Sequence, residues 1–119
     1  ELFQYFENTL VAIDKNAKQA GIQVHFVVYP MRFQQSEAEW NATKELYALN
    51  QSAFDLENPN RIIASICNKN QLSCLDLLPV FKENGNQILH FPFDQHWNKQ
   101  GNLLAGKEIA KFIKEKYFK

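Results

Sequence analysis

Asp94 and His96 stand two residues apart in the segment Phe93-Asp94-Gln95-His96-Trp97-Asn98, a short stretch bounded by aromatic residues and followed by a helix start. A carboxylate that accepts a hydrogen bond from one imidazole nitrogen fixes the ring's tautomer, and the other nitrogen is then free to take a proton from a nucleophile. Such a pair is the base half of a catalytic triad, and loops held by a rigid scaffold are where such pairs do chemistry. The plainer alternative has Asp94 capping a turn while His96 packs against Trp97. Spacing alone does not separate the two. His90, six residues before His96, could join Asp94 and His96 in a metal set, but zinc usually recruits three protein ligands of clear geometry. The reading is therefore of a site without metal or cofactor. His25 falls inside an apolar run and reads as structural.

The elements that must position this loop follow from apolar spacing. Phe3, Phe6, Leu10, Ile13 and Ala17 recur at threes and fours, which predicts a helix over 2–20 with one buried face, ended by Gly21. Ile22 to Tyr29 is β-branched and aromatic and closes on Pro30, which predicts a largely buried strand. A polar stretch from Met31 to Gln35 precedes Ser36 and Glu39, a capping-box spacing that opens a helix through Trp40, Leu46 and Leu49. Asn58-Pro59 reads as an N-cap followed by proline at the first helical position, with Ile62, Ile63, Ile66 and Cys67 facing inward. Ser73 to Leu77 reads as a short strand, Pro79 to Lys82 as a turn of helix ended by Gly85, and Ile88 to Phe91 as either a brief strand or extended loop. Asn98 can cap a last helix in which Leu103, Gly106, Ala110, Ile113 and Tyr117 share a face.

Short strands separated by helices demand parallel crossovers, so the fold class is α/β. A complete doubly wound sheet has about five strands. Two or three are legible, so residues 1–119 read either as a single domain or as a portion of one whose other strands come from elsewhere.

Composition bounds the function. With 45% hydrophobic and 22% charged residues the chain is too apolar to be disordered. Thirteen Lys and Arg balance thirteen Asp and Glu, so there is no basic footprint for nucleic acid. No run approaches the ~18 apolar residues of a membrane span. Cys67 and Cys74 could be free thiols of one loop or a bridge, and a bridge would favour an extracytoplasmic home.

VVYP at 27–30, CLDLLPVF at 74–81 and above all FDQHWNKQGNLLAGKEIAKFI at 93–113 resemble the C-terminal half of an SGNH (GDSL-type) hydrolase. The branch that reads Asp-x-His-Trp-Asn includes alginate acetyltransferase-like proteins acting on cell-surface polysaccharides. The resemblance implies a three-layer α/β/α, flavodoxin-like fold with a parallel sheet. It implies that Asp94 orients the imidazole and His96 is the general base of a serine esterase or O-acyltransferase. It departs from the family in having one residue rather than two between Asp and His, and Lys99 where a proline often starts the helix. The family's Gly-Asp-Ser nucleophile block is absent, and Ser36, Ser52, Ser65 and Ser73 all lack its context. The expectation is thus of a C-terminal portion that supplies acid and base to an upstream serine and is inactive alone.

Arg32, just past the strand, could reach the substrate or be a solvated surface residue. Trp97 beside His96 could stack on a sugar ring or pack. Trp40 and Tyr47 could stack too, although Trp40 falls where a core residue would. The implied partner is an acylated carbohydrate or small ester. The alternative from another class is a non-catalytic α/β module that binds carbohydrate or protein.

Overall fold

The computed structural model describes residues 2–50, 54–92 and 94–118, so Ser52 and Phe93 lie outside the described residues. The element order is α1 (Leu2–Gln19), β1 (Phe26–Val28), α2 (Arg32–Gln35), α3 (Glu37–Leu46), α4 (Asn58–Lys69), β2 (Cys74–Asp76), α5 (Leu78–Glu83) and α6 (Lys99–Tyr117). The strands pair in parallel, Phe26 against Cys74, Val27 against Leu75 and Val28 against Asp76.

Strand alternation sorts the helices into layers. Phe26 and Cys74, opposite one another, pack with Leu10 of α1 and with Ile62, Ile63, Ile66 and Cys67 of α4. Leu75 points the other way and packs with Leu77, Phe81 of α5, Leu89 and Ala105 of α6. Helices therefore cover both faces, as a parallel pair joined by a helical crossover requires. The disulfide Cys67–Cys74 joins the end of α4 to the start of β2 and settles the state of the two thiols. Closing so short a loop contributes about 2–3 kcal/mol through the unfolded chain.

Local chemistry explains the boundaries. Gly21 sits at φ 72°, where a side chain would be strained, and ends α1 with Ile22 N–H on the Ala17 carbonyl and Gly21 N–H on the Lys18 carbonyl. Ser36 caps α3 by accepting the Glu39 N–H at 3.3 Å. Pro59 lies in the first turn of α4, but Glu57 rather than Asn58 holds the cap position and caps with no side chain. Asn58 belongs to the helix, and its N–H goes to the Asp55 carbonyl. Glu7 ties α1 to the end of α4 through Lys69 Nζ at 2.8 Å and Asn70 Nδ2 at 2.7 Å. Those two partners hold the Glu7 carboxyl below its usual pKa.

Four expectations need correction. The strand over 22–29 is only three residues long, because β1 has one neighbour, and Ile22 and Tyr29 are exposed. Met31–Gln35 contains a helical turn rather than only polar loop, and α3 stops at Leu46, short of Leu49. The apolar face of α1 is only partly covered: Leu10 is buried, whereas Phe3 and Ile13 are 46% and 44% exposed. The radius of gyration, 16.3 Å, exceeds the ~13.5 Å expected of a compact chain of this length. The described residues form a slab of 48 × 35 × 20 Å built on two strands.

Helix α6 approaches the backbone of Leu89 so closely that a Cβ at Gly101 would sit 2.2 Å from the Leu89 carbonyl oxygen, whereas one at Gly106 would meet nothing within 4 Å. Gly101→Ala is accordingly expected to cost about 2–3 kcal/mol through overpacking. Gly106→Ala, on the exposed side of the same helix, should gain about 0.5–1 kcal/mol. Chemical denaturation of the two variants checks both signs.

Candidate active site

Residues 89–98 turn back on themselves beside the N-terminus of α6. His90 and Trp97 form an isolated antiparallel bridge, Phe91 N–H donates to the His96 carbonyl at 3.0 Å, and Asn98 N–H donates to the Leu89 carbonyl at 2.9 Å. Asn98 then does two things with one side chain. Its Oδ1 accepts from the Gln100 and Gly101 amides at 2.8 and 3.0 Å, capping α6, and its Nδ2 donates to the Ile88 carbonyl at 2.6 Å.

Inside that loop Asp94 Oδ1 accepts the His96 backbone N–H at 2.7 Å and lies 3.4 Å from His96 Nδ1. Asp94 thus caps the turn and faces the imidazole with the same oxygen. The His96 side chain is 86% exposed, and Nε2 makes no hydrogen bond to the described residues. Trp97 turns inward instead, edge-on to Tyr29 at 5.8 Å and tilted against Phe81 at 5.2 Å, so it is Trp97 and not His96 that packs. The Trp97 Nε1 is buried without a partner among the described residues.

Two hollows flank the loop. One, of about 330 Å³, is lined by Tyr29, Gln95, His96, Trp97 and Asn102. The other, of about 540 Å³, lies on the Asp94 side and includes Arg32, Glu39, Thr43, Tyr47 and Pro92, with Gln95 shared between the two.

Arg32 is committed to the loop rather than free. Its Nε and Nη2 donate to the Glu39 carboxylate at 2.6 and 3.3 Å, and Nη1 donates to the carbonyls of Phe91, at 3.1 Å, and Pro92. Its backbone N–H donates to Gln95 Oε1 at 3.0 Å. Beneath the loop, His90 is 3% exposed, and its Nδ1 lies 3.0 Å from Gln35 Oε1. Burial pushes the His90 pKa below its ordinary value, and the Arg32 guanidinium adds to that, against opposing effects of Glu39, the Pro30 carbonyl and Asp94.

The remaining candidates lie apart. His25 Nδ1 is 2.7 Å from Ser73 Oγ and its Nε2 is 2.7 Å from the Tyr117 hydroxyl, at the opposite end of the strands. Ser36 caps α3 and Ser65 lies exposed on α4. Trp40 is not core: it is half-buried between Phe33 and Phe54 with Lys44 over its ring. No group of three or more His, Cys, Asp or Glu gathers as a metal site among the described residues.

A family model described as the SGNH hydrolase-like domain of acetyltransferase AlgX matches residues 3–119. The chain belongs to that family. No curated protein and no solved structure matches the chain. The α/β architecture with its parallel strand pair is that of an SGNH hydrolase-like domain, and the family is of the acyl esterase and acetyltransferase type. No described helix is long and apolar enough to cross a membrane.

Sequence reasoning missed Gln95, Tyr29 and Asn102 as residues lining the hollow at His96. Asn102 carried a signal, since it stands four residues after Asn98 on the first turn of α6. Gln95 carried none beyond its place between Asp94 and His96, because its orientation depends on Arg32, 63 positions away.

Two outcomes follow. Neutral His90 in the native state binds fewer protons than in the unfolded chain, so its contribution is complete above the unfolded pKa of about 6.5 and is lost as pH falls below it. Denaturation between pH 7.5 and 5 should show stability falling with acid, with a shallower slope in His90→Gln. Arg32→Ala should cost about 1–3 kcal/mol by freeing the Glu39 carboxylate and two loop carbonyls. Arg32→Lys should recover little of this, because one ammonium cannot span the same acceptors. Faster amide exchange at Phe91 in both variants would check the loss of the clamp.

Proposed function

We propose that this chain supplies the acid–base half of a serine esterase or O-acetyltransferase site acting on acyl esters of carbohydrates. The observation that carries the reading is the placing of Asp94 Oδ1 3.4 Å from His96 Nδ1 on a loop pinned by Asn98 and Arg32, with His96 Nε2 unengaged among the described residues. A contact that long in a site without substrate is ordinary for a catalytic pair.

In the proposed reaction a serine from outside these 119 residues bonds through its oxygen to the acyl carbon while its proton passes to His96 Nε2. The described serines have other positions, which supports a nucleophile from elsewhere in the protein. Asp94 holds the tautomer and offsets the charge of the imidazolium. As the tetrahedral centre collapses, the bond from carbon to the sugar oxygen breaks and His96 returns the proton to that oxygen, leaving the acyl group on serine. Water or a second sugar hydroxyl then gives its proton to His96 and bonds to the acyl carbon, the bond from that carbon to the serine oxygen breaks, and His96 returns the proton to serine. Water makes the reaction hydrolysis, and a sugar makes it transfer.

The carbohydrate substrate is supported by membership in the AlgX family and by the Trp97 and Tyr29 rings beside the amides of Gln95 and Asn102 in one hollow. Trp97 is the substrate contact in this reading, and Arg32 acts on substrate through the loop it holds. An extracytoplasmic location is supported by the family and by the Cys67–Cys74 bridge.

The experiment is fluorophosphonate labelling of the full-length natural protein and of its His96→Ala variant, with mass spectrometry of the labelled peptide. Labelling at one serine in the parent that falls by several powers of ten without the imidazole is the expected result, because triad members act as a unit. A folded parent that takes no label, or a variant labelled as fast as the parent, would overturn it.

A further inference from the structure

The amide of Gln95 is oriented by the fold. The Arg32 backbone N–H can only donate, so the Gln95 atom 3.0 Å from it must be the carbonyl oxygen, which leaves Nε2 as the free end of the amide. Arg32 is in turn anchored through its guanidinium to Glu39 and to the Phe91 and Pro92 carbonyls, which holds the donor of this exposed contact in place. Nε2 makes no bond to the described residues, and Gln95 borders both hollows, in one of them together with His96.

Two other side-chain donors at that hollow are withdrawn, which leaves the exposed Tyr29 hydroxyl as the rival to the Gln95 amide. Asn102 Nδ2 is committed to the Trp97 and Asn98 carbonyls at 3.1 and 3.0 Å, and Trp97 Nε1 is buried. An exposed amide with both hydrogens unused, fixed beside the base, is what a developing negative charge on a carbonyl oxygen calls for.

We infer that Gln95 is a catalytic residue of the proposed acyl transfer, its Nε2 donating a hydrogen bond to the acyl carbonyl oxygen as that oxygen becomes negative. The inference rests on the serine-hydrolase reading and goes beyond it, since the Asp94–His96 pair requires only that some residue stand between them. When serine adds to the acyl carbon, the carbonyl π electrons move to oxygen, and the Gln95 N–H stabilises them until the bond to the leaving sugar oxygen breaks. Donation only to the ground-state ester would change binding instead, so the role predicts an effect on kcat.

The test measures kcat and KM of the full-length protein on p-nitrophenyl acetate, with Gln95→Glu and Gln95→Met. Glutamate keeps an oxygen for the Arg32 N–H and so keeps the loop pinned, but loses the donor. Methionine keeps the approximate shape and loses both. A fall of about 10²–10³-fold in kcat in both variants, with little change in KM, is the expected result.

Parent-like kcat in the Glu variant would reduce Gln95 to a loop pin, and parent-like kcat in the Met variant would reduce the Glu effect to charge. A change confined to KM would make Gln95 a ground-state contact. Any of these overturns the inference. Fluorophosphonate labelling of the parent and of His96→Ala separates the two failures. If labelling depends on His96 while Gln95 variants keep parent kcat, only this inference falls. If labelling is absent or independent of His96, the serine reading falls with it.

Discussion

Everything near the candidate site hangs on Asn98. One side chain caps α6 and ties it to the Ile88 carbonyl, while the Asn98 backbone N–H takes the Leu89 carbonyl. The junction that results brings helix and loop into van der Waals contact and leaves room only for hydrogen at Gly101. A helix start is an unavoidable cluster of unpaired N–H groups. Here the residue that satisfies two of them also closes the base of the loop carrying Asp94 and His96, so the geometry of that pair is inherited from a capping requirement.

The loop's other side is held by polar contacts rather than apolar packing. Arg32 takes two loop carbonyls and Glu39, and Gln35 meets His90 beneath them and donates to the Gln87 carbonyl. The same short helix extends the network away from the site. Gln34 accepts from Met31 N–H and donates to Asn60, and Asn60 Nδ2 donates to the Asp76 carboxylate at the end of β2. Buried polar networks specify one arrangement more sharply than apolar contacts do, because a displaced member leaves a polar atom unpaired in low dielectric, although His90 Nε2 is buried without a partner among the described residues. The α2 turn thereby connects the end of the sheet to the loop.

How far this could be read from sequence divides by range. Gly21, Ser36, Asn98 and the apolar spacing of α1, α4 and α6 are local signals, and each produced an element where expected. Asp94 and His96 were legible as a pair because two residues of separation suffice to bring them together. Strand length was not, since Ile22 to Tyr29 has the composition of a long buried strand and only the number of neighbours decides how much of it pairs. Asn58 as a cap failed by one position, which local propensity does not resolve when Glu57 can take the place. Arg32 is marked in the sequence only by its place just past the strand, and Gln95 not at all, because their roles consist of contacts 7, 59 and 63 residues apart.

The proposed chemistry also makes a physical demand that the described residues alone do not meet. A general base 86% exposed works against the dielectric of water, in which charge–charge and hydrogen-bond stabilisation of an oxyanion is weak. Catalytic electrostatics gain their strength where water is excluded. Around the loop stand Tyr29, Ile88 and Phe91, each at least half exposed, together with the Trp97 face, an apolar rim about a polar pair. In the proposed reaction the element that brings the serine to His96 would also cover this rim, so that the nucleophile and the low dielectric that activates it arrive together.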